Sequence, residues 1–243
     1  MIAESNEALN ALREKYGLPE GKIAAEGSRF VLEYPDGSRV PLLPWRVERR
    51  FTELRNVVTD GTLEGLSTCR SARFSASAPL RELLEKELDL IAFLAGSEIV
   101  SVFAVMTGGA VCNAVVRLAN GVSGTVECGT KLPAGREDLD RHELIAARGT
   151  ASDLTVDTQM RQKSVYLWND AGEKSFTDTD MELFGMTDEE IGTVRAAFAV
   201  LADPQLGAAW KRAAARMTAA ADAAFAADAA QQPVTLSEGE EIR

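Results

Sequence analysis

Apolar residues recur at helical spacing in three segments of the first hundred residues, namely 4–16, 47–58 and 80–95. Spacings of three and four residues place these side chains on one face, so each segment is predicted to be a helix. Pro79 stands at the start of the third segment and Gly96 directly after it. Proline is favoured in a first helical turn and glycine just past a last one, so these residues mark the ends of that helix.

Polar interruptions in the apolar pattern predict turns. Pro35, Asp36 and Gly37 separate two short extended runs in FVLEYPDGSRVPLL, which predicts a hairpin over residues 30–43. From residue 98 onward the pattern becomes a series of short β-type runs separated by glycine or polar turns. Such a series is typical of an antiparallel meander.

Asn120 and Gly121 lie between two apolar runs and predict a two-residue type I′ turn, because both residues tolerate a positive φ. Such a turn pairs residue 113 with Cys128, so Cys112 is expected on the opposite face and a disulfide between the two cysteines is not expected. The runs around this turn are almost continuously apolar, which predicts burial on both faces of the sheet. A partner is therefore expected to cover the face that helices leave open.

The C-terminal part returns to helical patterns. Thr187 followed by Glu190 predicts a capping box at the start of a helix that Pro204 ends. Alanine, a strong helix former, dominates residues 206–230, and the polar residues 237–243 are predicted to be a mobile tail. Helices before and after a long run of strands predict an α+β chain, with a mainly antiparallel open sheet and helices packed on one face.

The charge of the chain excludes several classes of partner. A formal net charge of −11 and a pI near 4.8 mean that nucleic acid and anionic membrane surfaces repel the chain, so neither is an expected partner. The sequence has neither a secretory signal pattern nor an apolar run of the roughly 18 residues that a membrane span needs. Three widely spaced cysteines fit a reducing compartment, and we expect a cytoplasmic protein.

Residue types that often carry chemistry are sparse. His142 is the one histidine, and strand alternation places it on the same face as Leu144. Without a second histidine or a cysteine nearby, either a structural position or a position at the edge of the sheet is predicted for it, and no metal site is expected. The glycine pair Gly108-Gly109 lies in a β-type segment with no helix after it to receive a pyrophosphate. Dinucleotide binding by this chain alone is therefore not expected.

Three segments follow one another in a characteristic order. The first segment is a glycine-containing loop that leads into a strand, NVVTDGTLEGLSTCRSARF. The second has an Asp seven residues before a Gly, followed by V-x-V, in LDLIAFLAGSEIVSVFAV. The third is an apolar hairpin around Asn-Gly, VVRLANGVSGTVECGTKLP. In this order, over residues 51–236, they resemble the C-terminal domain of the Gfo/Idh/MocA oxidoreductases, the family of glucose-fructose oxidoreductase and inositol dehydrogenase.

The resemblance implies a domain organisation and a set of partners. Residues 45–236 correspond to the C-terminal domain of the family, residues 1–44 to a helix and hairpin left from a nucleotide-binding half that this chain lacks, and residues 237–243 to a tail. The implied substrate is a sugar or cyclic polyol. NAD or NADP would be bound only through a separate nucleotide-binding chain, and the open face of the sheet would form a homo-oligomer.

The resemblance also assigns three residues to the site helix of the family. The family supplies an Asp and, four residues later, a His on this helix, and these positions hold Glu82 and Lys86 here. Asp89 matches the Asp that precedes the helix-ending glycine by seven residues. An ordinary lysine is a poor general base, so Glu82 and Lys86 are predicted to be a solvated ion pair at i and i+4.

Three functions remain open from the sequence. The chain is interpreted as a subunit or fragment of a sugar or polyol oxidoreductase, inactive alone. The first alternative is a non-catalytic oligomerisation or regulatory module. The second is a cofactor-independent sugar-converting enzyme that uses Glu82 and Lys86.

Overall fold

The computed structural model describes residues 2–133, 135–153, 163–178 and 185–236. Contacts within the chain divide it into two compact units, Met1–Thr52 with Asp178–Ala215, and Glu53–Thr177 with Arg216–Arg243. The boundary predicted at residue 44 rests on the family resemblance and stays a prediction, and the predicted tail lies outside the described residues. Among the described residues, no helix combines the length and the apolar character that crossing a membrane requires.

The elements follow one another in the order helix, small sheet, helix, large sheet and helices. In chain order they are α1 (Ile2–Tyr16), β1 (Lys22–Glu26), β2 (Arg29–Glu33), β3 (Arg39–Pro41), a 3-10 turn (Pro44–Arg46), α2 (Arg49–Thr59), β4 (Leu66–Phe74), α3 (Leu80–Ala95), β5 (Ile99–Thr107), β6 (Val111–Leu118), β7 (Ser123–Gly129), β8 (Leu139–Ala146), β9 (Gly149–Ser152), β10 (Lys163–Asn169), β11 (Gly172–Asp178), α4 (Asp188–Ala202), α5 (Pro204–Ala230) and β12 (Val234–Thr235).

In the first unit, local signals in the sequence determine the turns and helix ends. Strands β1, β2 and β3 form a three-stranded antiparallel sheet. The predicted hairpin between β2 and β3 is confirmed, since the Tyr34 N–H donates to the Ser38 carbonyl at 2.9 Å and Gly37 has a φ of +82°. The capping box at α4 is also confirmed. The Glu190 N–H donates to Thr187 Oγ1 at 3.3 Å, and the Thr187 N–H donates back to the Glu190 carboxylate at 2.9 Å.

The second unit is built on a nine-stranded sheet with the order β11-β10-β9-β8-β4-β7-β6-β5-β12. β4 and β7 pair in parallel, whereas antiparallel pairings join β4 to β8, β7 to β6 and β6 to β5. The segment between β4 and β7 contains α3 and the β5–β6 hairpin, which supplies the long crossover that parallel strands require. The predicted α+β class with a mainly antiparallel sheet is confirmed, and the sheet is mixed because of the β4–β7 pairing.

Helix α3 covers one face of this sheet at β4, β6 and β7. It ends as predicted, with Gly96 in the left-handed region at a φ of +61° directly after Ala95. The helix approaches the sheet closely at Gly124 of β7. A Cβ at this position would lie only 2.6 Å from Val116 Cγ2 and 2.7 Å from Ile91 Cγ2. A glycine is therefore needed where α3 rests on β7.

The opposite face of the sheet is open in this chain. Side chains along β6 alternate between exposed and buried at every position. Val105, Val111 and Val115 lie on the open side and are 43%, 38% and 48% exposed. The single chain therefore buries one face of these strands, and the expected burial of the second face by a partner stays a prediction. The apolar residues on the open face made the sequence pattern look continuous.

The turn at Asn120-Gly121 differs from the predicted one by one residue. The Leu118 N–H donates to the Val122 carbonyl at 2.9 Å, so the loop holds three residues, and Gly121 has a φ of +86°. This loop aligns Cys112 with Cys128 as direct cross-strand partners. The predicted pairing of residue 113 with residue 128 is wrong, because an extra loop residue shifts the register by one and a one-residue shift moves side chains to the other face.

Candidate functional site

Helix α3 holds the three residues that the sequence assigned to a site. Glu82 and Lys86 are half-buried, and Asp89 is buried with 4% exposure. An i,i+4 ion pair on this helix joins Arg81 to Glu85 at 3.8 Å, and Arg81 also contacts Asp222 at 2.7 Å. The catalytic roles suggested for Glu82, Lys86 and Asp89 stay predictions.

Directly beneath α3 lies a buried cluster centred on His142. Its Nε2 is 2.7 Å from Glu87 Oε2 on α3, and its Nδ1 is 2.7 Å from Oδ2 of Asp153, the residue that follows β9. All three side chains are fully buried. His142 shares its face with Leu144, as predicted. Of the two positions predicted for it, the one at a sheet edge is wrong, because β8 lies between β4 and β9.

Strand register and backbone hydrogen bonds build this cluster. Ser71 of β4 is the cross-strand partner of His142, so both side chains point toward α3, where the Ser71 hydroxyl donates to Glu87 Oε2. The His142 N–H donates to Asp153 Oδ1, and the Asp153 N–H donates to the His142 carbonyl at 3.1 Å. The Ser152 hydroxyl donates to the same carbonyl at 3.0 Å. These bonds fix both carboxylates on opposite sides of the imidazole ring.

Two carboxylate neighbours require a protonated ring. A neutral imidazole donates from one nitrogen only, whereas an ionised carboxylate only accepts, so two such contacts at 2.7 Å need an imidazolium. Burial alone lowers the pKa of His142, but the charges of Asp153 and Glu87 and the hydrogen bonds with them outweigh burial and raise the pKa to about 10. Burial likewise raises the pKa of Glu87, but the charge of His142 outweighs that effect and the net shift is downward.

The cluster continues through charged residues toward the end of β4. Arg73 contacts Asp140 at 2.6 Å and Asp138 at 3.1 Å, and Asp140 Oδ1 lies 3.7 Å from His142 Nδ1. The charge of Lys86, the residue before Glu87 on α3, also lowers the pKa of Glu87.

Three members of the cluster could hold a metal ion. Glu87, Asp140 and His142 each offer one ligand atom, and these atoms all lie within 4.8 Å of one another. The cysteines are unsuited to nucleophilic chemistry. Burial raises the pKa of Cys69 to about 12 and of Cys112 to about 11, so both thiols stay protonated at neutral pH.

Sequence reasoning missed Glu87, Asp153 and Ser71. Polar residues at strand positions that should face the core were a signal that could have been used. Ser71 and Arg73 on β4 are two such residues, and they pair with His142 and Asp140 on β8. Glu87 likewise interrupts the apolar stripe of α3. Polar residues at such positions need buried partners, which makes each of them a reason to look for a network.

Several solved structures with a similar fold are described as oxidoreductases or dehydrogenases, whereas no family model and no curated protein matches the chain. Levoglucosan dehydrogenase in complex with NADH and levoglucosan has a TM-score of 0.64 at 13% identity, over 81% of this chain and 65% of its own. An oxidoreductase from Agrobacterium radiobacter in complex with NAD+, L-tartaric acid and magnesium has a TM-score of 0.62 at 13% identity, over 79% and 63%. Scyllo-inositol dehydrogenase from Lactobacillus casei, with bound NAD(H) and scyllo-inositol, has a TM-score of 0.58 at 16% identity, over 81% and 64%.

These similarities concern the fold. The chain spans less than two thirds of each of the three similar structures, at identities of 13% to 16%. The fold that the family resemblance implied is therefore confirmed for about four fifths of the chain, which is the share that these structures cover.

Proposed function

We propose that the chain is the sheet-bearing part of an NAD(P)-dependent oxidoreductase that acts on a sugar or a cyclic polyol, and that it is inactive until a separate nucleotide-binding chain joins it. The observation that carries this proposal is the fold, in which α3 lies across the large sheet as part of an architecture similar to NADH-bound levoglucosan dehydrogenase over 81% of the chain. A cytoplasmic location, expected from the sequence, belongs to the same proposal.

The connection between β4 and α3 supports the proposal that a separate chain binds the nucleotide. Dinucleotide sites join a strand to a helix through a glycine-rich loop, because only glycine lets the backbone approach the pyrophosphate. Here residues 75–79 read SASAP and contain no glycine. The Ser75 side chain is fully buried and contacts the Ser77 hydroxyl at 2.7 Å, so this loop is filled by its own side chains.

Burial separates the residues that could reach a substrate from those that could not. His142, Glu87 and Asp153 have side chains with 0% exposure and would not touch a bound polyol. Glu82 and Lys86 are half-buried on the same helix and remain reachable. We therefore assign the contact with the substrate to the Glu82–Lys86 side of α3.

The first experiment is calorimetric titration of the purified chain with NAD+ and NADP+. No binding at micromolar cofactor is expected. A micromolar dissociation constant for the chain alone would contradict the proposal that a separate chain binds the nucleotide. Immobilised chain should then capture a nucleotide-binding protein from an extract of the source cells. The complex should reduce NAD+ or NADP+ with scyllo-inositol or levoglucosan, and a complex inactive on both would count against the substrate class.

Lys86→Ala tests where the chemistry lies in that complex. The matched control is Lys131→Ala, because Lys131 is exposed and lies on a loop after β7. A loss of turnover specific to Lys86→Ala would locate a catalytic group on α3. An increased KM with unchanged kcat is the result expected if Lys86 only holds the substrate, and equal activity of both variants would count against a contact between Lys86 and the substrate.

The open face of the sheet supports the second candidate, a homo-oligomerisation module. Val105, Val111 and Val115 lie around the exposed Asn113 on neighbouring strands, and Phe103 is the cross-strand partner of Val115. Exposed apolar residues gathered on one face of a sheet are typical of protein interfaces. We propose that a second copy of the chain covers it, a role compatible with the oxidoreductase proposal.

A further inference from the structure

The buried cluster around His142 gathers carboxylates from three parts of the chain. Glu87, Asp153 and Asp140 each place a carboxylate oxygen 2.7 to 3.7 Å from a ring nitrogen of His142. A cation at this place would be attracted by the negative charge of these carboxylates.

We propose that this cluster is a binding site for a divalent transition metal ion of the zinc type, held by Glu87, Asp140 and His142. One imidazole nitrogen and two carboxylate oxygens are a donor set that suits Zn²⁺ and Co²⁺. The ligands come from α3 and β8, two regular elements, so their backbones are well fixed.

Each ligand is oriented by a second residue. Asp153 holds His142 at Nδ1, 2.7 Å away, which leaves Nε2 directed toward Glu87. The Ser71 hydroxyl donates to Glu87, and Arg73 holds Asp140 at 2.6 Å. Metal sites in proteins are built in this way, with a carboxylate behind the ligating histidine and hydrogen bonds to the ligating carboxylates.

A second observation points to a cation at this place. Glu87 Oε1 is fully buried and has no hydrogen-bond partner among the described residues, although Oε2 of the same carboxylate has two. A buried acceptor without a partner is destabilising, because it has given up its hydrogen bonds to water. A metal ion bound to this carboxylate would place a positive charge beside the oxygen that has no hydrogen bond.

The ligating side chains have to move to admit the ion. Two tetrahedral ligands at about 2.0 Å from a metal are roughly 3.3 Å apart. His142 Nε2 and Glu87 Oε2, which are 2.7 Å apart, therefore need to separate, and any pair of ligand atoms near the 4.8 Å limit of the cluster needs to come closer. Because the His142 and Glu87 side chains have 0% exposure, the site is structural, and the ion joins α3 to the sheet.

The experiment uses the untagged full chain after treatment with a chelator, titrated with Zn²⁺ by calorimetry and with Co²⁺ by visible absorption. One equivalent should bind, with the intense absorption of tetrahedral Co²⁺ and an increased melting temperature. Asp140→Asn should weaken Zn²⁺ binding at least about tenfold, since even the loss of an orienting residue typically costs that much. Asp138→Asn is the matched control because Asp138 contacts the same Arg73 at 3.1 Å but is not a proposed ligand.

Glu87→Gln removes a second ligand on the other element and should weaken binding to a similar degree. Circular dichroism checks that each variant is folded. The absence of binding to the wild-type chain at micromolar Zn²⁺ would overturn the proposal. Binding that survives both ligand variants unchanged would overturn it as well, because the ion would then lie elsewhere.

Discussion

Replacement of His142 should destabilise the chain far more than replacement of its partner Glu87. His142→Ala leaves the buried carboxylates of Glu87 and Asp153 without the cation between them, and breaking a buried pair in this way costs about 3 to 5 kcal/mol. The rise in the pKa of His142 from 6.5 to about 10 sets a similar upper limit of roughly 5 kcal/mol, at about 1.4 kcal/mol for each pKa unit. We expect about 3 kcal/mol, because Glu87 keeps the Ser71 hydroxyl and Asp153 keeps the His142 N–H.

Glu87→Gln should cost no more than about 1.5 kcal/mol, the usual value of one hydrogen bond. The amide of the new side chain donates to Nε2 of a neutral imidazole, while Nδ1–H still donates to Asp153. Both contacts of His142 at 2.7 Å therefore survive without a second proton on the ring. The difference between the two variants therefore tests whether His142 donates a hydrogen bond from both ring nitrogens, and not only whether the side chain is buried.

The assay is urea denaturation in the presence of a chelator, combined with hydrogen exchange. The exchange measurement is needed because the chain has two compact units, and only the amides of α3 and β8 should lose protection in His142→Ala. A loss of about 3 kcal/mol corresponds to a decrease in melting temperature of about 6 to 12 °C for a domain of this size. A cost below about 1 kcal/mol for His142→Ala, or equal costs for both variants, would refute the reasoning.

Three further outcomes follow from the structure. The pKa of His142 is raised from 6.5 to about 10, so the stabilisation from its protonated ring is complete below pH 6.5 and is lost as the pH rises through about 10. The urea midpoint, measured in the presence of a chelator, should fall over that range, and a midpoint independent of pH would contradict the imidazolium. Gly124→Ala should cost about 1 to 3 kcal/mol in the same assay, because the new Cβ would lie 2.7 Å from Ile91 Cγ2, and an unchanged midpoint would contradict the close approach of α3. Val115→Glu, at a side chain that is 48% exposed, should convert the proposed homo-oligomer to a monomer in light scattering, and a wild-type mass of 26.1 kDa would refute self-association.

Elements with local signals could be predicted from the sequence. Gly96 ends α3, Gly37 closes the first hairpin, and Thr187 with Glu190 caps α4, as expected. Each of these signals acts over a few residues through a left-handed φ or a single hydrogen bond, so no knowledge of distant partners is needed. The ends of helices and strands could therefore be predicted from local residues more reliably than the arrangement of these elements in the fold.

Features that depend on distant partners could not be predicted. Glu87 and His142 are 55 residues apart, and the residues next to each of them in the sequence do not indicate the contact. The register of the β6–β7 hairpin depends on whether Asn120-Gly121 forms a two-residue or a three-residue loop, and both are compatible with the same two residues. The parallel pairing of β4 with β7 likewise joins two segments that are far apart in the sequence, such as Thr68 and Ser123.

The buried cluster and the proposed substrate side of α3 are linked by the geometry of the helix itself. Lys86 and Glu87 are consecutive, so their side chains point about 100° apart around the helix axis. Because His142 and Ser71 hold Glu87 against the sheet, they fix the rotation of α3 and with it the direction of Lys86. His142 would therefore influence a substrate that it does not touch, and the cation at the centre of the cluster, proton or metal, helps to hold the reachable face of α3 in place.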